Sequence, residues 1–339
     1  MPTKSIVLSL FLTFSGLSYA QTQLNGAGAT FPYVLYSKWF DVYKQKTGVQ
    51  FNYQSIGSGG GIKQIIEGTV DFGATDGPMK DEQLAETSKK QGVDVLHIPT
   101  VLGAVVVTYN LPQLGAGLKL TPETLAGIFL GEVTKWNDRR IASTNPGKNL
   151  SDQTIIVAHR SDGSGTSFIF TDYLSKVSKQ WETKVGRGTS VRWPTGLGAK
   201  GNEGVAGLVK QTEGSIGYVE LAYAVKNHLP YAWMKNKAGE FIEPTLESVS
   251  AAAAGAAKDM PEDFRVSITN ADGKSSYPIS GFTWLLVYKK NRDKSKGEAL
   301  VNFLKWAMAD GQSYASDLLY APLPKEVIKL VEVRVQSIK

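Results

Sequence analysis

Cysteine is absent from these 339 residues, and histidine occurs only three times. Without thiols no disulfide can form, so stability has to come from a buried core rather than from covalent staples. The same absence removes the acceptor for a lipid anchor near the amino end. His97, His159 and His228 have no ligand-type spacing, so neither a metal nor any other cofactor is expected. No G-x-x-x-x-G-K-[ST] string occurs, which argues against an NTPase. Lys and Arg are scattered, with no basic helix or aromatic–basic stripe, so nucleic acid is not an expected partner. The net charge of +6 supports only a mild preference for anions.

Long apolar runs are also scarce. Lys4 precedes an apolar run from Ile6 to Phe14, followed by Ser18-Tyr19-Ala20, small residues of the kind a signal peptidase reads. Residues 1–20 are therefore expected to be a secretory signal cleaved after Ala20. The run is too short for a membrane span, and no later segment is long enough either. An exported chain with no lipid-bearing cysteine points to the periplasm.

At 339 residues the chain exceeds what one core usually supports, so two domains are expected. Strand and helix patterns alternate. Helical spacing runs from Pro32 to Lys46, and Val49, Phe51 and Tyr53 alternate as a strand. Ile62 to Glu67 reads as a short helix and Val70 to Ala74 as a short strand. Val101 to Tyr109 reads as a strand buried on both faces. Thr121-Pro122 opens a helix with a cap and a first-turn proline. Thr154–Ala158, Ser215–Val219 and Phe282–Tyr288 are further strands, and Ala251–Ala257 is an alanine-rich helix expected at the periphery. Such alternation predicts α/β layers with mainly parallel strands, where ligands sit beyond the strands' carboxyl ends.

Three stretches rich in glycine and hydroxyls lead directly into helices. They are Gly26-Ala27-Gly28-Ala29-Thr30-Phe31-Pro32, Gly57-Ser58-Gly59-Gly60-Gly61 and Ser161-Asp162-Gly163-Ser164-Gly165-Thr166-Ser167. A helix start leaves N–H groups unpaired and carries partial positive charge, which suits an anion. Thr30, Ser58, Ser164 and Thr166 each read alone as an ordinary helix cap. Together they suggest helix starts converging on one small oxyanion. Arg160 adds a planar fork able to grip two oxygens, with Asp162 placed to orient it. Asp76 stands at the end of a strand, where the ligand should lie, yet a carboxylate repels anions. An ionised carboxylate only accepts hydrogen bonds, so Asp76 suits an oxyanion that still carries a proton, such as hydrogen phosphate, and opposes sulfate.

Two other readings fit less well. Gly196-Leu197-Gly198-Ala199-Lys200-Gly201 matches G-x-G-x-x-G, but Arg192-Trp193-Pro194 precedes it instead of an apolar strand. His159, Asp162 and Ser164 are a conceivable hydrolase trio. However, the glycine that a nucleophile elbow needs two positions before the serine is missing.

The three stretches, with Val70-Asp71-Phe72-Gly73-Ala74-Thr75-Asp76 and Arg160, resemble the periplasmic phosphate-binding proteins of bacterial high-affinity phosphate ABC transporters, the PstS family. Thr134-Lys135-Trp136, Trp193–Gly198 and Gly214–Tyr218 agree, and the resemblance covers nearly all of the chain past residue 20. It implies a non-enzymatic, monomeric α/β clamshell of two lobes, each a mainly parallel sheet flanked by helices. Lobe one would take residues 21–100 and 280–339, and lobe two residues 101–279, with crossing strands as hinge. The implied ligand set is Thr30, the Phe31 amide, Ser58, Asp76, Arg160, Ser164, the Gly165 amide and Thr166, with Asp162 behind Arg160. The implied partners are inorganic phosphate and the permease subunits of an ABC transporter with its cytoplasmic ATPase. Gly59 stands where some relatives carry a second serine.

Overall fold

The computed structural model describes residues 22–256 and 258–339, so the expected signal segment lies outside the described residues. The strands are β1 (Gln23–Gly28), β2 (Gln50–Ser55), β3 (Phe72–Thr75), β4 (Val95–Tyr109), β5 (Lys119–Leu120) and β6 (Ile156–Arg160). They continue with β7 (Leu197–Ala199), β8 (Ser215–Glu220), β9 (Trp233–Lys235), β10 (Phe241–Ile242) and β11 (Ser280–Tyr288). Eight strands form one sheet in the order β2-β1-β3-β11-β4-β8-β6-β7, and β10-β9-β5 form a small second sheet. Each flank of the large sheet is parallel, β2-β1-β3 on one side and β8-β6-β7 on the other. The central strands β11 and β4 run antiparallel to their neighbours. Among the described residues no helix is long and apolar enough to cross a membrane.

Strand β4 joins the two flanks. Every residue in it except Leu96 is buried, as its apolar composition requires of a strand covered on both faces. It pairs with β11 from Val95 to Ala104 and then with β8 from Val105 to Tyr109. It begins six residues earlier than its apolar run suggests, because His97, Pro99 and Thr100 interrupt the pattern without ending the strand. The register shifts opposite Thr283/Trp284, where Thr100 is passed over. There the Gln312 amide donates to the Thr100 carbonyl at 2.9 Å, so the irregularity leaves that buried oxygen paired.

The sheet is strongly curled. Thr30 follows β1, and Asn202 lies in the helix after β7, six strand positions away. In a flat sheet that separation would be roughly 29 Å at about 4.8 Å per strand. The Asn202 side-chain amide nonetheless donates to the Thr30 hydroxyl at 2.8 Å. The flanks therefore face one another across a narrow line, and the strand ends that lead into helices meet along it.

Two expectations need correction. The first glycine stretch is half strand, since Gly26, Ala27 and Gly28 belong to β1. Side chains there would collide: a Cβ on Gly26 would overlap the Phe72 ring, and one on Gly28 would overlap the Ala74 carbonyl. A Cβ on Gly61 would lie 2.5 Å from Gly28 Cα, so these glycines let the helix Ser58–Glu67 lie directly on β1. That helix also starts earlier than its apolar residues suggest, at Ser58 itself. The alanine-rich helix, Leu246–Ala253, is not peripheral. Val249, Ala252 and Ala253 are buried and the helix packs on β4 and β11, because short side chains permit close approach.

Gly28→Ala is expected to cost about 2–6 kcal/mol from overpacking plus an unfavourable φ of +146°. Gly92→Ala, at φ +69° with open space around it, should cost only about 1–2 kcal/mol. Urea unfolding of the two variants side by side checks the difference.

Candidate functional site

Thr30, Ser58, Asp76, Arg160, Ser164 and Thr166 are all buried where the two flanks meet. Ser58 opens the helix Ser58–Glu67, and Ser164 caps the helix Gly165–Val177 by accepting from the Ser167 amide at 2.9 Å. The second and third glycine stretches touch directly, with the Gly59 amide donating to the Gly163 carbonyl at 2.8 Å. A Cβ on Gly165 would lie 2.5 Å from both Asp76 Oδ2 and Ser58 Oγ, so the absence of a side chain there permits this approach. Phe31 is wholly buried, and its carbonyl accepts from the Tyr320 hydroxyl at 2.7 Å.

The hydroxyls share a common polarity. Ser58 Oγ accepts from the Asp76 amide at 3.2 Å and the Gly165 amide at 3.1 Å. Thr30 Oγ1 accepts from the Asn202 amide at 3.2 Å and from its side-chain Nδ2 at 2.8 Å. Thr166 Oγ1 accepts from Asn202 Nδ2 at 3.0 Å and Arg160 Nη1 at 3.4 Å. A hydroxyl oxygen has two lone pairs and one proton. With both lone pairs engaged, each of the three can only give its proton to an acceptor.

Arg160 is 3% exposed and bound bidentately by Asp162, through Nε–Oδ1 at 2.7 Å and Nη2–Oδ2 at 2.6 Å. Burial by itself would raise the Asp162 pKa, but its bonds to Arg160 and the Gly201 amide hold it below the usual carboxylate value. Asp162 and Arg160, two residues apart in sequence, are thus paired in the structure.

Asp76 is the exception among these donors. Thr283 donates to its Oδ1 at 2.8 Å, whereas Oδ2 is buried with no hydrogen-bond partner among the described residues. Burial pushes its pKa up to about 7, against the opposing effects of Thr283, Arg160 and Ser58. A buried acceptor without a donor is costly, and more so when it is charged.

Asn202 escaped the sequence reading. It is fully buried, and it lies one residue past the G-x-G-x-x-G string rejected as a dinucleotide site. That string forms β7 and the start of the helix Gly201–Gln211. It is a fourth hand-over from glycine to helix, and counting it with the other three would have found Asn202. The hydrolase trio does not assemble. His159 Nδ1 lies 3.0 Å from the Arg160 carbonyl and its ring stacks on Trp193, while Asp162 holds Arg160 and Ser164 caps its helix.

The architecture is an α/β fold whose glycine–hydroxyl stretches converge from two flanks of one sheet. A family model described as PBP superfamily domain matches residues 16–310. Phosphate-binding protein PstS of Pasteurella multocida (strain Pm70) is 48% identical over 336 residues, covering 98% of this chain and 96% of the relative. Phosphate-binding protein PstS of Xylella fastidiosa (strain 9a5c) is 47% identical over 311 residues, covering 91% and 84%. The fold is also that of PfluDING, a high-affinity periplasmic phosphate-binding protein solved with phosphate, at TM-score 0.74 and 22% identity over 92% and 93% of the two chains. The chain belongs to the PBP superfamily and, within it, to the family of proteins named phosphate-binding protein PstS.

Because folding raises the Asp76 pKa from 3.8 to about 7, the folded protein holds this proton where the unfolded chain releases it. Stability from this group is therefore lost as pH rises from about 4 to about 7, by about 4 kcal/mol in all. Asp76→Asn removes the titration. Its stability relative to the parent should rise by that amount between pH 4 and pH 8, as measured by urea unfolding in phosphate-free buffer.

Proposed function

We propose that this chain captures inorganic phosphate in the periplasm and delivers it to the permease of an ABC-type importer, itself driven by a cytoplasmic ATPase. The observation that carries this reading is the polarity of the site. Two hydroxyls whose oxygens are already engaged, those of Thr30 and Thr166, together with helix-start amides and Arg160, favour a ligand rich in acceptors. The buried, unpartnered Asp76 Oδ2 favours a ligand that also brings one proton. Hydrogen phosphate meets both demands, while sulfate meets only the first. The names of the relatives at 47–48% identity agree with this ligand.

In this reading the ligand contacts are Thr30, the Phe31 amide, Ser58, Asp76, Arg160, Ser164, the Gly165 amide and Thr166. The Gly165 amide donates to Ser58 Oγ in this arrangement, so an anion that takes it also releases one lone pair of Ser58. Residues 21–100 with 280–339 form one lobe and 101–279 the other, and the anion draws them together as a clamp. The exchange of β4 from β11 to β8 after Ala104 supports a hinge on these central strands. The protein acts as a carrier and not an enzyme, and as a monomer. No observation favours the hydrolase, because His159 bonds to neither Ser164 nor Asp162.

Isothermal titration with phosphate and sulfate tests the proposal. Tight phosphate binding with no sulfate heat at pH 8 is expected, and an absence of phosphate binding refutes it. The Asp76 pKa of about 7 adds a pH dependence with a definite sign. Below that value the carboxyl becomes a donor and should begin to admit sulfate. Competition of sulfate against phosphate should therefore strengthen from pH 8 to pH 5.5, and Asp76→Asn, always able to donate, should show it at every pH.

A further inference from the structure

We propose that Asn202 is a positioning residue. By this inference it sets the proton direction of two ligand-facing hydroxyls and clasps the two flanks of the sheet together. The inference rests on the phosphate reading above. Asn202 Nδ2 carries two protons, and the structure directs one to Thr30 Oγ1 at 2.8 Å and the other to Thr166 Oγ1 at 3.0 Å. Thr30 belongs to the flank of β1, whereas Thr166 and Asn202 belong to the flank of β6 and β7. A single amide group thus spans the line along which the flanks meet.

The orientation of that amide follows from the other end of the side chain. Asn202 Oδ1 accepts from the Glu220 backbone N–H at 2.9 Å, which fixes it as the oxygen and leaves Nδ2 for the threonines. The Asn202 backbone amide adds a second bond to Thr30 Oγ1 at 3.2 Å. The Thr30 oxygen is then fully engaged, and its proton must go to another acceptor. The same holds for Thr166, whose second lone pair takes Arg160 Nη1 at 3.4 Å. Asn202 therefore acts without touching the anion: it ensures that two hydroxyls meet the anion as donors. Without it each hydroxyl could rotate and present a lone pair, which repels an anion.

Asn202→Asp tests this most directly. Aspartate is close in shape and keeps the acceptor for Glu220, but it replaces the double donor with an acceptor. It would draw the Thr30 and Thr166 protons toward itself and away from the ligand. Titration of inorganic phosphate is expected to show at least about 100-fold weaker binding for Asn202→Asp and about 10-fold for Asn202→Ala. A purely structural role would lower the unfolding midpoint in phosphate-free buffer and leave the affinity of folded protein unchanged, and that result would overturn the inference. A double-mutant cycle supplies a further readout. If Asn202 acts through the Thr30 hydroxyl, Asn202→Ala together with Thr30→Val should lose clearly less affinity than the product of the single losses. Strict multiplicativity would count against it. Aspartate also brings a negative charge toward the anion, so weaker binding by the neutral alanine variant carries the supporting result, and unchanged binding by the aspartate variant overturns the inference. A parent protein that ignores phosphate overturns the functional reading and this inference with it. A parent that binds tightly, beside an Asn202→Asp variant that binds equally well, overturns the inference alone.

Discussion

A hydroxyl has one proton, and the direction of that proton decides what a buried site can hold. In this protein the direction is set from behind. Amides, Asn202 and Arg160 occupy the oxygens of Thr30 and Thr166, so in the proposed reading their protons are left for the anion. Water, which adapts to any partner, would erase this polarity in an open cleft. Burial preserves it, because a donor without an acceptor in a dry site costs far more than one facing solvent. The same accounting makes Asp76 Oδ2, a buried acceptor with no donor among the described residues, the atom on which the proposed selectivity rests.

That polarity depends on the curl of the sheet. The loop after β1 and the strand β7 are six strand positions apart, and the curl of the sheet together with the packing of the helix Gly201–Gln211 back over β6 and β8 brings Thr30 to Asn202. The central strands carry the change of direction: β4 pairs with β11 and then with β8, and Gln312 satisfies the backbone where the register slips at Thr100. Glycines permit the close approaches on either side. Gly61 lies on Gly28 within one flank, and Gly59 meets Gly163 between the flanks. A fold that did not bring its strand ends together would leave four separate helix starts, of which only the one at Ser164 is capped by its own side chain.

Much of this was legible in the sequence, and the parts that were not have identifiable causes. Local chemistry read well: the cap at Thr121, the pairing of Asp162 with Arg160, and the helix start at Ser164 each involve neighbours within a few residues. The alternation of strand and helix was likewise enough for the fold class. Strand β4 read too short, because periodicity cannot show that the Thr100 carbonyl is satisfied by Gln312, more than two hundred residues away. Gly26 and Gly28 read as loop because their reason lies in Phe72 and Ala74, on another strand. Asn202 was missed because its contacts are relational: it bonds Thr30 and Thr166, at separations of 172 and 36 residues. Residues that contact a ligand tend to announce themselves by type, while those that orient them do so only in three dimensions.

Charge alone cannot explain the selectivity that this geometry implies. The one cation among the groups proposed to contact the ligand, Arg160, is already matched by Asp162, and Asp76 adds a further acid. The side chains thus offer no net positive charge to a dianion, and what remains to hold it are oriented dipoles: hydroxyl protons, amides and helix starts. Hydrogen phosphate and sulfate carry equal charge near neutrality and have nearly the same shape, so dipoles directed at oxygens treat them alike. The proton is the remaining difference. It can be read only by an acceptor that nothing else satisfies, held where water cannot substitute. Asp76 meets that condition because burial isolates its Oδ2, and the same burial raises its pKa toward neutrality. The proposed selectivity and its sensitivity to pH are in this way two consequences of one desolvated carboxylate.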